Sequence, residues 1–467
     1  AVQRNSSWFS AYFNMTNTIC GAGVLGMPYA FSQCGTILGC FFLFCAACFS
    51  QLGCYLIVLS CAKTGFPATV YSVTRPMHKH APTVCDLLLL TQLFGAAVAY
   101  LIVIGDLMPG SCEQLGFGAF WIKRDVWVVT GFLCAMPLSI PHNIDFLKYS
   151  SGACIFFLVF VGLLVFVYSL KWSAADPCKG QVLDDDGPCE GSEFSGGGSS
   201  VKEISMTDTL RVLSIFIFGY CCQVTTFPIA NELTAPTKTR LRGVSFYAIF
   251  SAGILYFLVA VCGYYTYGDS IKADLLLNYP QVPIITTARM MISFIVTFSY
   301  PLQVNPARRS ALTLMHNFFD KGEEPSLQTV RARYFGFTAF FLMSSLVLGL
   351  VLTDLGVVIQ VIGATGGCMI MFILPGYCYL FHFAETEANE EEKADKSCTS
   401  TGMNAGGDVY SPLSADDSCN GSEADALKVQ LLPRSASGAD GSQAAAQDNK
   451  TRPPWRLHVA PCDEEVL

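Results

Sequence analysis

The stretch Asn14–Gly35, NMTNTICGAGVLGMPYAFSQCG, is apolar and long enough to cross a bilayer, yet Gly21, Gly23, Gly26 and Pro28 interrupt it near its middle. A helix broken in lipid leaves backbone N–H and C=O groups unpaired, so a break persists only where protein or a polar cavity satisfies them. Two readings follow. The break is a site for a polar ligand or ion, or its glycines let two helices pack closely through small-xxx-small spacing.

The chain as a whole is 52% hydrophobic and only 14% charged, with a mean hydropathy of +0.45. Its apolar runs are too long for strands or soluble core helices, which makes it an all-α polytopic membrane protein. Runs of about 20 apolar residues give ten expected spans, roughly 12–34, 36–62, 85–108, 126–141, 150–171, 207–231, 244–266, 284–306, 330–352 and 355–383. An even number puts both termini on one side. With a cytosolic N-terminus, the inner loops carry Lys63, Arg75, Lys79, Lys148, Lys238, Arg240, Arg242, Arg308, Arg309, Lys321, Arg331 and Arg333, against Lys123, Arg124 and Lys272 outside. The excess of positive charge on that side predicts cytosolic termini.

Three regions are distinguished: a short N-terminal segment 1–11, expected to be truncated because it starts almost directly before the first span; the membrane domain 12–383; and a tail 384–467. The outer loop 172–206 is acidic and Gly/Ser-rich and the tail is polar and poor in aromatics, so neither can build a core. Most of the 21 cysteines fall in spans, where they read as packing. Cys178 and Cys189 lie in the outer loop, where an oxidising compartment favours a disulfide, with Cys112 as the competing partner. No cysteine pair has zinc-site spacing with histidine, and no catalytic triad order, phosphate loop or cofactor motif is present. The expectation is therefore not an enzyme, with no cofactor, no metal beyond a transported cation, and no nucleic-acid partner.

Span six, LRVLSIFIFGYCCQVTTFPIANEL, has a second break at Gly219–Gln223, followed by Pro228. Dividing the spans into one to five and six to ten places a broken helix first in each half. A matched pair of interrupted segments is the best sequence pointer to a transport site, and it favours the site reading over simple packing. Exposed N–H groups at such a break suit an anionic group, and exposed carbonyls suit a cation, so the two ends match an amino acid's carboxylate and ammonium. Span eight adds Thr297 and Ser299 ahead of Pro301, which frees a backbone carbonyl; both hydroxyls could equally bond back to their own helix. Asp106 is a candidate for gating or proton linkage, Glu232 for an inner cap or gate, and Arg289 for an interfacial anchor or the partner of an acid.

These residues resemble the amino acid/auxin permease family, and within it the sodium-coupled neutral amino acid transporters. The resemblance rests on Phe13–Asn17, Gly21–Gly26 and Tyr29–Ala30 of span one, and on Tyr100–Asp106 and Pro137–Pro141 further on. It continues with Cys222, Pro228 and Glu232 of span six, with Pro301, Pro306 and Arg308, and with Phe372–Pro375. Such a resemblance implies a LeuT-type 5+5 inverted repeat with helices one and six broken, holding an amino acid between the breaks. It gives Thr18, Cys20, Gly21, Ala22, Gly23, Phe218, Gly219, Cys222 and Gln223 as substrate-binding candidates, and Asn17 and Ser299, with Thr297 in reserve, as cation ligands. Three departures stand out: Gln223 where many relatives have His, His142 where a basic residue is usual, and a polar tail from Glu385 in place of an eleventh span.

The expected function is secondary active transport of neutral amino acids, coupled to sodium, by alternating access, in a plasma, vacuolar or lysosomal membrane. Alternatives are a sensor of the same fold, motivated by the long tail with its Tyr410–Leu413 sorting-like motif, and a proton-coupled transporter of a vacuolar or lysosomal membrane.

Overall fold

The computed structural model describes residues 6–21, 23–65, 68–141, 147–171, 199–202, 204–320 and 325–382. All of them belong to the first of two units, Ala1–Gly402. Cys178 and Cys189, with the disulfide expected between them, lie outside the described residues, as do Ala22, His142 and the tail.

Among the described residues the fold is all helical, with no strand beyond a single parallel bridge between Ser6 and Leu233. The principal helices are α1 (Trp8–Ile19), α2 (Gly23–Cys34), α3 (Thr36–Thr64), α4 (Val70–Thr74), α5 (Ala81–Gln114), α6 (Arg124–Ser139), α7 (Leu147–Lys171), α8 (Met206–Tyr220), α9 (Gln223–Glu232), α10 (Lys238–Tyr267), α11 (Pro283–Met315), α12 (Leu327–Val351) and α13 (Leu355–Ile362). Side-chain oxygens start several of them. Ser7, Thr69, Thr237, Ser326 and Asp354 each accept an N–H of the first turn, as good N-caps do. Gly35 and Gly65, at φ +82° and +85°, bound α3 at its two ends in a conformation that a side chain would strain.

Among the described residues, eight helical segments are long and apolar enough to cross a membrane, two of them running through α8–α9 and from α13 to His382. The protein is a multi-pass membrane protein. The other two expected spans differ for a physical reason. Residues 8–34 form two 12-residue helices, and α6 has 16 residues, each short of the roughly 20 that a bilayer core requires. Large apolar side chains on α3, α7, α10 and α12, among them Phe44, Phe156, Phe250 and Phe340, are exposed and form the face expected against lipid.

The interior is built on α11 lying along α5, with α10 against α1, α2 and α3, and α8 against α2. Despite Pro301 and Pro306, α11 is continuous for 33 residues. After α13 the chain widens into π-helical turns at Gly363–Gly367 and Met369–Ile373. Gly363 there lies so close to α8 that an added Cβ would run into the Ser214 carbonyl oxygen.

Candidate functional site

The first helical interruption falls between Ile19 and Gly23, the second at Cys221 and Cys222. They meet in space. A Cβ on Gly23 would lie 3.0 Å from the Gly219 Cα, so backbone approaches backbone where the two chains cross. Helix packing and a polar site therefore occupy the same place: the glycines let the interruptions touch, and the interruptions leave backbone groups to be satisfied.

Side chains from two other helices satisfy some of them. The Tyr256 hydroxyl on α10 reaches the Ile19 carbonyl at 2.6 Å and the Gly219 carbonyl at 3.0 Å, one from each interruption. The Ser50 hydroxyl on α3 donates to the Tyr220 carbonyl at 2.8 Å. A buried carbonyl left without a donor costs about 1–3 kcal/mol, so these two hydroxyls hold the geometry in place.

A cavity of about 120 Å³ runs from the interruptions toward Glu232 and Pro306, at the end of the bundle where Ser6 bridges Leu233. Gly21, Gly23, Phe218 and Cys221 line it from the interruptions, Gln92 and Tyr100 from α5 and Gln303 from α11, together with Asn14, Thr18 and Thr225. Gln303 Nε2 donates to the Tyr100 hydroxyl at 3.2 Å. Gln92 Oε1 is buried without a partner. The cavity thus offers backbone from the interruptions and amide and phenol groups from α5 and α11, and among its described lining residues Glu232 carries the charge.

Beside the cavity, Asn17 Nδ2 on α1 donates to Ser299 Oγ on α11 at 3.3 Å. Both residues are buried, and Asn17 Oδ1 has no partner. Pro301 lacks the N–H that would otherwise pair with the Thr297 carbonyl one turn earlier. An amide oxygen, a hydroxyl and the Thr297 carbonyl on α11 are donors of the kind a hard cation takes.

The chain matches the family model described as transmembrane amino acid transporter protein over residues 4–404. It belongs to that family, the amino acid/auxin permeases. Family members are transporters rather than enzymes. Among the relatives, vacuolar amino acid transporter 5 of Schizosaccharomyces pombe is 30% identical over 380 residues, covering 80% of this chain and 84% of its own length. Sodium-coupled neutral amino acid transporter 7 of Danio rerio is 27% identical over 387 residues, covering 80% and 79%. Among solved structures, MhsT in complex with L-phenylalanine aligns with a TM-score of 0.54 at 11% identity, over 79% of this chain and 89% of that one. At that identity the likeness concerns the fold, which is the LeuT type.

Of the sequence-expected residues in this permease, Thr18, Gly21, Gly23 and Phe218 line the cavity. Asn17 and Ser299 are brought together from opposite halves. Cys20 and Gly219 are buried beside the cavity rather than on its wall. Cys222 and Gln223 turn toward α3 instead. The Cys222 sulfur lies 3.7 Å from that of Cys54, and Gln223 Nε2 donates to Ser50 Oγ at 3.2 Å. Thr297 donates its hydroxyl proton to the Ser293 carbonyl at 2.7 Å, within its own helix, and its oxygen lone pairs stay free to accept. Asp106 is paired with Arg124 at 3.0 Å, and Arg289 is buried, near the acid Asp274 rather than out at an interface.

Sequence reasoning passed over Tyr256, Ser50, Gln92 and Gln303 and used Tyr100 only as a family mark. A polar tip in the middle of an apolar helix was the signal for each, since Tyr, Ser and Gln in lipid-buried helices need partners.

Proposed function

We propose that the chain is a secondary active transporter of neutral amino acids, coupled to a cation, which alternates access between two faces of a ten-span, 5+5 inverted repeat with helices one and six interrupted. The observation that carries this reading is the single cavity walled by both interruptions, with Asn17 and Ser299 paired at its side. The interrupted backbone of Gly21–Gly23 and Phe218–Cys221 would receive the zwitterionic head, and Gln92, Tyr100 and Gln303 would face the side chain. Apart from Glu232, the described lining residues are uncharged, which favours a substrate with a neutral side chain.

Asn17, Ser299 and the Thr297 carbonyl would hold the cation. Sodium suits three neutral oxygens, and the name of the Danio rerio relative favours it. One charge falling through about 100 mV releases about 2.3 kcal/mol, enough for roughly 40-fold accumulation. Charge counts across the loops favour cytosolic termini.

A second reading is favoured by the name of the Schizosaccharomyces pombe relative: proton-coupled transport across a vacuolar or lysosomal membrane. Uptake of a panel of labelled amino acids into vesicles holding the purified protein tests both, with sodium replaced by choline and pH varied. Saturable uptake lost without sodium supports the first reading, and uptake that follows pH alone supports the second. Binding without flux would make the protein a sensor and end the transport reading.

A further inference from the structure

The cavity reaches toward the Glu232 end of the bundle; the other end is covered. There residues 268–282 join α10 to α11, and instead of lying on the surface the middle of this connection is buried. Ile271, Asp274, Leu275, Leu276 and Tyr279 are all at or below 5% exposure. It sits on the two helices that lead outward from the site. The Ala273 Cβ is 3.1 Å from where a Cβ on Gly356 of α13 would be, and the Ala273 carbonyl lies 3.9 Å from the same point on Gly26 of α2. Arg289 of α11 fastens it, donating to the Leu276 carbonyl from Nε at 3.3 Å and Nη2 at 3.0 Å and to the Tyr279 carbonyl at 2.8 Å.

Inside this covering segment is an acid that none of these contacts neutralises. Asp274 Oδ1 accepts the Leu276 N–H at 3.0 Å, while Oδ2 is buried without a hydrogen-bond partner. The charged groups around it are Arg289 from α11 and Asp106 from α5, the latter already paired with Arg124 of α6. Asp354, which caps α13, approaches the same Gly356 Cβ position as Ala273, at 3.1 Å. Tyr267 of α10 and Tyr168 of α7 pack edge-on against Tyr279 of the same segment.

We propose that residues 271–279 form a plug over this end of the bundle and that the Asp274 carboxyl is a proton-binding site which closes it: a bound proton seals the plug, and its loss loosens it. A protonated carboxyl can lie in an apolar enclosure at small cost, whereas a carboxylate with one oxygen unpartnered there is expensive and is relieved when the plug lifts into water. Burial first, and then the neighbouring Asp106, push Asp274 up to about 7, against the lowering effects of the Leu276 amide and Arg289. In a lifted plug the ordinary value of about 3.9 returns. The closed form therefore gains most below the ordinary carboxylate range, loses about tenfold in its equilibrium per pH unit as pH rises across the interval, and gains nothing above about 7. An acidic compartment on this side holds the plug shut.

That the plug gates passage rests on the transport reading; that it binds a proton does not. Hydrogen exchange of residues 274–278 in nanodiscs, corrected for the intrinsic pH dependence, tests the proton site directly. In the wild type exchange should quicken at least tenfold from pH 5 to 7 and level off above. In Asp274→Asn, a neutral isostere, it should stay slow and independent of pH. A wild-type pH profile in that variant overturns the proposal. Should Asp274→Asn not fold, Asp106→Asn serves, since removing the neighbouring negative charge moves the midpoint to lower pH; an unmoved midpoint overturns the proposal. Vesicle flux with pH varied only on the plug side reads the gate. It should rise from pH 5 to 7 in the wild type and stay low and flat in Asp274→Asn. Equal pH dependence in both proteins overturns the gate, whereas an exchange switch in a protein that moves no amino acid upholds the proton site and sinks the transport reading.

Discussion

Asn17 and Ser299, 282 positions apart in the chain, are hydrogen-bonded side chain to side chain in the buried centre of the bundle, with Asn17 Oδ1 left unpartnered beside them. A lone amide oxygen in such a place is costly unless something charged or protic meets it. If a cation does so, each of these side chains supplies one of its oxygens. Asn17→Ala and Ser299→Ala should each raise the half-saturating sodium concentration for uptake more than tenfold, while Thr297→Ala, whose hydroxyl is turned to Ser293, should leave it within about twofold. Sodium titrations of initial uptake rate decide the matter, and unchanged titrations in both alanine variants would reject the pair as ligands.

Tyr256 stands in a different relation to the site, since it bonds both interruptions from behind the cavity without itself lining it. Tyr256→Phe keeps the ring, and with it the edge-on packing on Tyr220, but takes the donor from the Ile19 and Gly219 carbonyls. The loss should cost about 1–3 kcal/mol of stability, with turnover reduced along with it. Thermal unfolding in detergent, run beside Tyr220→Phe as a ring-preserving comparison, measures the first. A Tyr256→Phe protein as stable as the wild type would show that the two carbonyls find other donors.

The glycines of the crossing should differ in tolerance according to what an added methyl meets. At Gly23 it meets backbone, at 3.0 Å, and at Gly363 backbone again, the Ser214 carbonyl, so neither neighbour can turn aside. At Gly219 it meets the terminal methyl of Met27, a flexible group that can swing away. Gly363→Ala and Gly23→Ala should therefore lose about 1–3 kcal/mol or fail to fold, and Gly219→Ala should lose less. The ranking, read from unfolding midpoints or from yield of monodisperse protein, fails if Gly219→Ala is the worst of the three.

How much of this was readable beforehand follows the reach of each signal. Glycine and proline mark backbone interruptions locally, so both breaks, and Gly21 and Gly23 of the cavity lining, stood out along the chain, whereas Phe218 came through the family resemblance. The partnership of Asn17 with Ser299 was accessible only through family resemblance, because nothing local links residues so far apart. Cys222 and Gln223 sit in the second break yet face α3, since a helix break fixes where backbone is released and not which way its side chains turn. Tyr256 and Asp274 were invisible for the same reason. A tyrosine inside an apolar span and an aspartate in a short connection look ordinary until folding buries them against carbonyls or in a plug. Thr297, ranked beside Ser299 by spacing alone, bonds back to its own helix, the outcome that hydroxyls in membrane helices commonly adopt.

The polar wall of the cavity offers a way to separate substrate from cation. Gln303 lines the cavity and holds the Tyr100 hydroxyl at 3.2 Å, and that hydroxyl in turn lies 2.7 Å from the space above Gly21. Replacing Gln303 by Leu keeps the bulk, removes the donor and lets Tyr100 turn from the interrupted backbone. One hydrogen bond of this kind is worth about 0.5–1.5 kcal/mol, so KM for the amino acid should rise about tenfold at most. The half-saturating cation concentration should stay near its wild-type value, because Asn17 and Ser299 are untouched. Tyr100→Phe should reproduce the effect, since either change cuts the same bond, and the double variant should be no worse than the single ones. Additive losses in the double variant would show that the two side chains meet the substrate independently, each contributing its own contact rather than acting as one hydrogen-bonded unit.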